Sequence, residues 1–291
     1  MNILKEFDKA LAVLETHELG YKIDSGTTYE NYMSDTAWTR YLSGISEEHY
    51  RQYGGGEGGE LKAKKGRPPK MASVASSSRM IYELSRDVPG FVFEKKMPTV
   101  VGGEANLDGY LEKGDTLIFV EAKRREPYSH RAIQDIKQKY RPVYRHLREK
   151  MPRVFSCVME ELPNSEYMRT VFFCRGDVVV SFDIKQMICH MLAVANEALR
   201  SGTEKEILFL YLLFDPRGLA LPDKYREEVA RIYADTCRAA KLLCMERMFG
   251  HIVDFLMAEM KIPCTKDRAE QIKKNFRFEL CDQEQYSDYL K

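Results

Sequence analysis

Asp108, Glu121 and Lys123 are the residues whose types and spacing could do chemistry. They lie in Asn106–Pro127, NLDGYLEKGDTLIFVEAKRREP. Thr116–Lys123 is rich in β-branched and aromatic residues and predicts a strand, with Leu107–Leu111 as a shorter partner. The polar Glu112-Lys113-Gly114-Asp115 between them predicts a tight turn. A two-residue loop at Lys113-Gly114 would set Glu112 opposite Asp115 and Asp108 opposite Phe119. Side chains alternate along a strand, so Asp108, Glu121 and Lys123 would share one face, with Asp108 diagonal to Glu121 at about 7–8 Å. Two carboxylates so placed can hold a divalent cation between them.

The surrounding residues make such a face expensive. Phe119 precedes Glu121 on it, and Ile118, Val120 and Ala122 fill the opposite face. A carboxylate and an ammonium buried there would each cost several kcal/mol unless paired. A metal ion would relieve that cost. The expected ligands are Asp108, Glu121 and the backbone carbonyl of Ala122, completed by water, a set suited to Mg²⁺ or Mn²⁺. Such an ion acidifies a bound water and polarises a phosphate oxygen. Lys123 would orient the water or neutralise charge in the transition state. The competing reading is a solvated strand face with alternating charges.

Asp108, followed after twelve intervening residues by Glu121-Ala122-Lys123, resembles the PD-(D/E)XK, or restriction-endonuclease-like, nuclease superfamily and is similar to type II restriction endonucleases. Leu107 stands where the family's name has proline. The resemblance covers residues 76–145, with weaker support to about residue 215. It implies an α/β fold with a mixed central sheet flanked by helices, and helical additions at both ends. It also implies Mg²⁺-dependent cleavage of DNA, with Mn²⁺ as a substitute. In such enzymes a helix before the hairpin often supplies another acidic residue. Ser76-Ser77-Ser78 offers an N-cap for a helix running to about Asp87. Glu83 on that helix is the candidate, and Glu104 is its competitor. Cutting both strands of a duplex favours a homodimer.

Nucleic-acid contacts are expected from the segment after the hairpin. Lys123–Lys150 holds ten lysines and arginines against three acidic residues. The pattern predicts a helix over Ser129–Tyr140, interrupted or kinked near Pro142, with Lys137, Arg141 and Arg145 on one face. Arg124, Arg125, Arg131, Lys137, Gln138 and Arg141 are the expected backbone-binding residues. Either Gln134 or Gln138 could reach the active site. A solvated surface helix is the plainer reading. A second basic run, KAKKGRPPK at Lys62–Lys70, resembles the core of an AT-hook at Gly66-Arg67-Pro68, with Lys64, Lys65 and Arg67 toward DNA. Lys65 replaces the arginine that usually precedes the glycine, and a Pro-containing linker after the flexible Gly54–Gly59 tract is the favoured alternative. GGGEGG is not a phosphate loop, because no strand precedes it and no Gly-Lys-Ser/Thr closes it.

Length and composition bound these readings. The chain has 291 residues, 44% hydrophobic and 31% charged, as in an ordinary globular protein. We divide it into a helical N-terminal region with a flexible Gly-rich, basic linker (1–75) and an α/β nuclease-like domain with C-terminal helices (76–291). The formal net charge of +1 does not by itself point to nucleic acid. Seven cysteines without C-x-x-C spacing argue for reduced thiols in the cytoplasm and against zinc. Neither a membrane span nor an apolar signal region is visible. Helices are expected at Asn2–Thr16, Ser34–Tyr53, Met187–Arg200 and from Asp223 to about Met260, the last broken near Gly250. Strands are expected at Gly90–Lys96, Arg153–Glu160, Thr170–Cys174 and Glu206–Phe214. Two functional alternatives stay open: a binding protein that keeps the fold without catalysis, and a nuclease acting on RNA or DNA ends.

Overall fold

Ile207–Leu213 is apolar at every position, and all seven residues are buried. A strand of that composition needs a covering layer on each face. The computed structural model describes residues 3–23, 25–54, 59–129, 133–152, 156–161, 166–174, 177–178, 182–242 and 245–291. Its N-terminal part runs α1 (Ile3–Leu14), the hairpin β1 (Leu19–Lys22) and β2 (Thr28–Met33), α2 (Asp35–Ser43), α3 (Glu47–Gly54) and α4 (Ser77–Ser85). Next come β3 (Val92–Pro98), β4 (Glu104–Lys113), β5 (Thr116–Lys123), β6 (Ile133–Lys137), α5 (Arg141–Lys150), β7 (Ser156–Glu161), β8 (Tyr167–Cys174) and β9 (Asp177–Val178). The chain continues with α6 (Ile184–Ser201), β10 (Glu206–Leu213), α7 (Asp223–Leu242), α8 (Met245–Ala258), α9 (Lys266–Asn275), β11 (Phe276–Cys281) and α10 (Gln283–Leu290).

The central sheet is mixed and five-stranded, in the order β11-β10-β5-β4-β3. β3, β4 and β5 are antiparallel, whereas β10 runs parallel to both β5 and β11. One face packs Phe119, Phe209 and Leu213 against Ile188 and Leu192 of α6 and Ile252 of α8. The other packs Ile118, Val120, Leu208 and Leu210 against Phe7 of α1, Trp38 of α2 and Ile81 of α4. The fold is therefore α/β, with helices on both faces of a mixed sheet. β6, β8, β7 and β9 form a separate antiparallel sheet. Among the described residues, no helix is long and apolar enough to cross a membrane.

Five expectations need correction. Lys113 pairs with Thr116, so the hairpin loop is Gly114-Asp115 rather than Lys113-Gly114. That choice gives the positive φ of +56° to the residue without a Cβ. The described part of Ser129–Tyr140 does not form the expected helix. Ile133–Lys137 pairs with β8, a single 3₁₀ turn follows at Gln138–Tyr140, and the helix begins at Arg141. Pro142 lies in the first turn, where its missing N–H is harmless, so it starts α5 instead of kinking it. Gly250 sits inside α8 and breaks nothing, since α7 ends at Leu242 and α8 starts at Met245.

The basic run around Gly66 is neither an extended hook nor an unstructured linker from residue 59 onward. Lys64 and Arg67 exchange backbone hydrogen bonds of 3.0 and 3.1 Å across Lys65-Gly66, both at positive φ. This is the geometry of a two-residue hairpin turn. Finally, α9, β11 and α10 were not anticipated. β11 is short and charged, as an edge strand can be.

Candidate active site

Register along the β4–β5 hairpin brings the acidic residues together. Tyr110 pairs with Phe119 and Gly109 with Val120, so Asp108 comes level with Glu121, one step nearer than the diagonal placement expected from sequence. Asp108 Oδ2 accepts a 2.7 Å hydrogen bond from the backbone N–H of Ala122. On β5, Lys123 Nζ lies 2.5 Å from Glu121 Oε1 and donates to Gln186 Oε1 at 2.7 Å. Glu121 is only 1% exposed and Lys123 7%. Glu121 and Lys123 meet on one face of β5 as expected, and Asp108 reaches the same step of β5 through the Ala122 N–H.

β4 reaches this arrangement through a local irregularity. Leu107 belongs to the core under α6, yet a Cβ on Gly109 would point at Phe91 and Ile81 on the opposite face. Two residues of equal parity should share a face, so the strand turns over at Asp108. Facing it in the β3–β4 register is Glu94, whose φ is +52°. For a residue with a Cβ that backbone costs roughly 1–3 kcal/mol. It delivers a second buried carboxylate beside Asp108, and Asn106 Nδ2 donates to Glu94 Oε2.

The cleft above these residues has a volume of about 740 Å³. Glu94, Asp108, Lys123 and Glu126 lie on one side, Lys137, Lys139 and Tyr140 on another, and Lys185, Gln186 and His190 of α6 close it. Asp183 caps α6 by accepting from the N–H of Gln186 at 2.9 Å, which fixes the turn that presents Gln186 and Lys185. Glu126 ties the end of β5 to the start of α4. Its Oε2 accepts from the N–H groups of Arg124 and Arg125, and its Oε1 accepts from Ser77 Oγ at 2.9 Å.

Burial dominates the electrostatics. It pushes the Asp108 carboxyl well above the usual carboxylate range, and the charge of Glu121 adds to the rise. Burial raises Glu121 to about 7 against the opposing pull of Lys123. Glu94 is raised to about 8 by burial and then by Asp108. For Lys123, burial favours the neutral amine, but Glu121, Glu126 and Asp108 together overcome it and hold the ammonium charged. His190 is pulled down to about 3 by burial and by Lys123, so its imidazole is neutral.

Other expected site residues lie elsewhere. Glu83 is half-exposed on α4, 3.7 Å from Arg79 Nε and 3.5 Å from Tyr41 Oη, and does not line the cleft. Glu104 does line it. Arg124 is buried, its guanidinium 5.3 Å from the Phe214 ring and 3.7 Å from Glu15. Arg125 pairs with Asp8 at 2.5 Å. Arg125 thus ties α1 to the end of β5, Arg124 joins the Glu15 carboxylate that Arg79 also pairs, and neither lines the cleft. Lys137 is on the cleft wall, whereas Gln138 and Arg141 are not among its lining residues. Lys64, Lys65 and Arg67 are exposed on their own hairpin. Arg131 lies outside the described residues.

Glu94, Gln186 and His190 were missed. Gln186 and His190 are separated by four positions on an otherwise largely apolar helix, which puts both on one face. That spacing was the available signal. A glutamine of α6, Gln186, touches Lys123, and the side chain of Gln134 lies outside the described residues.

Among the described residues, no three His, Cys, Asp or Glu side chains are grouped closely enough to hold a metal ion by themselves. The donor chemistry nonetheless suits a cation. The charge of Glu121 raises the proton affinity of Asp108, and Glu121 Oε2 is fully buried without a hydrogen-bond partner. No protein-family model, curated protein or solved structure matches the chain.

Proposed function

We propose that this chain is a metal-dependent DNA endonuclease of restriction or defence-and-repair type, built on a restriction-endonuclease-like core. The observation that carries the reading is the meeting of Asp108 and Lys123 in the lining of a cleft that also holds Lys137, Lys139 and Lys185, with the buried Glu121 against Lys123. The mixed central sheet flanked by helices is α/β, the class to which such a core belongs.

Asp108 and Glu121 would hold Mg²⁺ or Mn²⁺, with Glu94 rather than Glu83 as the further carboxylate at hand. When bound, the ion would acidify a water and polarise the scissile phosphate. Lys123 is held as an ammonium by Glu121 and Gln186, so its part is to donate to the attacking water or to a phosphate oxygen, not to remove a proton. Lys137, Lys139 and Lys185 would receive the flanking phosphates. Cleavage of both strands of a duplex would use two copies of the chain.

The test is incubation of the purified protein with plasmid DNA in Mg²⁺, in Mn²⁺ and in EDTA, alongside Lys123→Ala. Cleavage that requires both metal and Lys123 is the expected result, and discrete fragments would add sequence specificity. Binding of the plasmid without cleavage under any condition would replace the enzyme with a nucleic-acid-binding protein of the same fold.

A further inference from the structure

The orphaned Glu121 oxygen faces another orphan. His190 Nδ1 lies 3.2 Å from Glu121 Oε2, and neither atom has a hydrogen-bond partner although both are buried. Both side chains are at least nine-tenths buried, so water does not satisfy them from outside. Two buried polar atoms facing each other without a partner are costly. A third species between them is what the geometry asks for.

Nδ1 of His190 faces Glu121 without a hydrogen-bond partner, so in the tautomer protonated at Nε2 it presents its lone pair to that oxygen. The backbone of Asn106 lies beside the imidazole, and a backbone group at the far nitrogen is a usual support of a metal-binding histidine. Metal–nitrogen and metal–oxygen distances of about 2.1 Å would span a 3.2 Å separation at roughly 100°, a normal angle between adjacent ligands. Glu121 Oε1 stays with Lys123, so the second oxygen is free to ligate.

We propose that Glu121 Oε2 and His190 Nδ1 form a mixed oxygen–nitrogen chelate for a transition-metal ion of the Mn²⁺ class, making His190 a metal ligand. This inference rests on the metal-dependent reading of the same cleft and changes which ion it takes. An imidazole ligand favours first-row transition metals, whereas Mg²⁺ and Ca²⁺ prefer oxygen throughout. The remaining positions would go to water.

The experiment is Mn²⁺ titration of the full chain without DNA, followed by electron paramagnetic resonance, with Mg²⁺ as competitor. The expected result is stoichiometric Mn²⁺ binding at least about tenfold tighter than Mg²⁺, with imidazole-nitrogen coupling in the spin-echo envelope. His190→Gln should abolish the nitrogen coupling and narrow the preference. The coupling in the unmodified protein is decisive even if that variant fails to fold. Mn²⁺ bound without nitrogen coupling would overturn the proposal. So would absence of Mn²⁺ binding, which would leave Glu121 as a carboxylic acid donating its proton to His190. Plasmid cleavage by the unmodified protein in Mg²⁺ reports separately on the nuclease reading. Cleavage without nitrogen coupling keeps the enzyme and discards this ligand, and nitrogen coupling without cleavage does the reverse.

Discussion

Asp108 and Ala122 are joined by a 2.7 Å hydrogen bond from the Ala122 N–H to Asp108 Oδ2. The bond locks the acidic residue of β4 onto the Glu121-Ala122-Lys123 step of β5, where strand pairing alone would leave its side chain free to rotate. Asn at position 108 can still accept that bond through its amide oxygen but carries no charge. Asp108→Asn should therefore melt at the same temperature as the unmodified protein or higher, since a buried carboxyl beside Glu121 is removed. Its metal-dependent plasmid cleavage should fall by at least about 100-fold. A variant that cuts normally would remove Asp108 from the site.

Lys123 and Glu121 support each other. Removing the ammonium in Lys123→Met leaves Glu121 buried with no counter-charge, a change that typically costs about 3–5 kcal/mol. Because burial already raises Glu121 to about 7, the carboxyl can escape part of that cost by taking up a proton. The loss of stability should consequently be larger at pH 8 than at pH 5. The double variant Glu121→Gln/Lys123→Met should recover most of it at pH 8. Chemical denaturation of the four members of this cycle at both pH values measures the coupling directly. Additive effects at pH 8 would mean that the pair contributes nothing to the fold.

Gly109 has a steric role that its position next to Asp108 conceals. A Cβ there would collide with the ring of Phe91 and come within 3.1 Å of Ile81 Cδ1, both in the buried core. Gly109→Ala should destabilise the protein by about 1–3 kcal/mol through overpacking. Gly109→Ala with Phe91→Leu should recover part of the loss. A Gly109→Ala protein of unchanged melting temperature would show that β4 is free to move at this point.

The parts of the site legible in the sequence are those set by local rules. TLIFVEAK reads as a strand from its residue types, and strand alternation places Glu121 and Lys123 on one face, with Asp108 facing that side for any two-residue loop. Gln186 and His190 were not legible, because they reach Lys123 and Glu121 only when α6 packs across the sheet. Glu94 was hidden for a different reason. Its approach to Asp108 depends on a left-handed backbone that sequence does not announce for glutamate. In Ser129–Tyr140, basic residues four apart imitated a helical face, yet pairing of Ile133–Lys137 with β8 decided the outcome. Charge spacing carries no information about such a partner.

Glu94 gives the stability of the metal-free protein a pH dependence of definite sign. Its folded value of about 8 lies above the ordinary 4.5, so between these limits the folded state binds more protons than the unfolded chain. Stability contributed by the protonated carboxyl is complete below about pH 4.5 and is lost as pH rises through about 8. The expected loss is on the order of a few kcal/mol. Melting temperature in EDTA should fall from pH 5 to pH 8.5, and Glu94→Gln should flatten the slope by removing its share. Parallel slopes in the two proteins would show that another buried carboxyl, Asp108 or Glu121, accounts for the whole dependence.

Basic residues near the hairpin divide by where their charges are turned, and DNA binding should divide with them. Lys137, Lys139 and Lys185 line the cleft. Arg125 is spent on Asp8, its guanidinium 2.5 Å from the carboxylate. Each lysine that neutralises a phosphate contributes nearly one unit to the slope of log affinity against log salt. Replacing the three lysines with alanine should reduce that slope by up to about 3 and weaken binding at low salt, measured by fluorescence anisotropy on duplex DNA in EDTA. Arg125→Ala should leave slope and affinity unchanged and cost under about 1 kcal/mol of stability, as expected for a partly exposed pair. Loss of binding in Arg125→Ala with retention in the triple lysine variant would move the nucleic-acid surface from the cleft to the α1 side of the sheet.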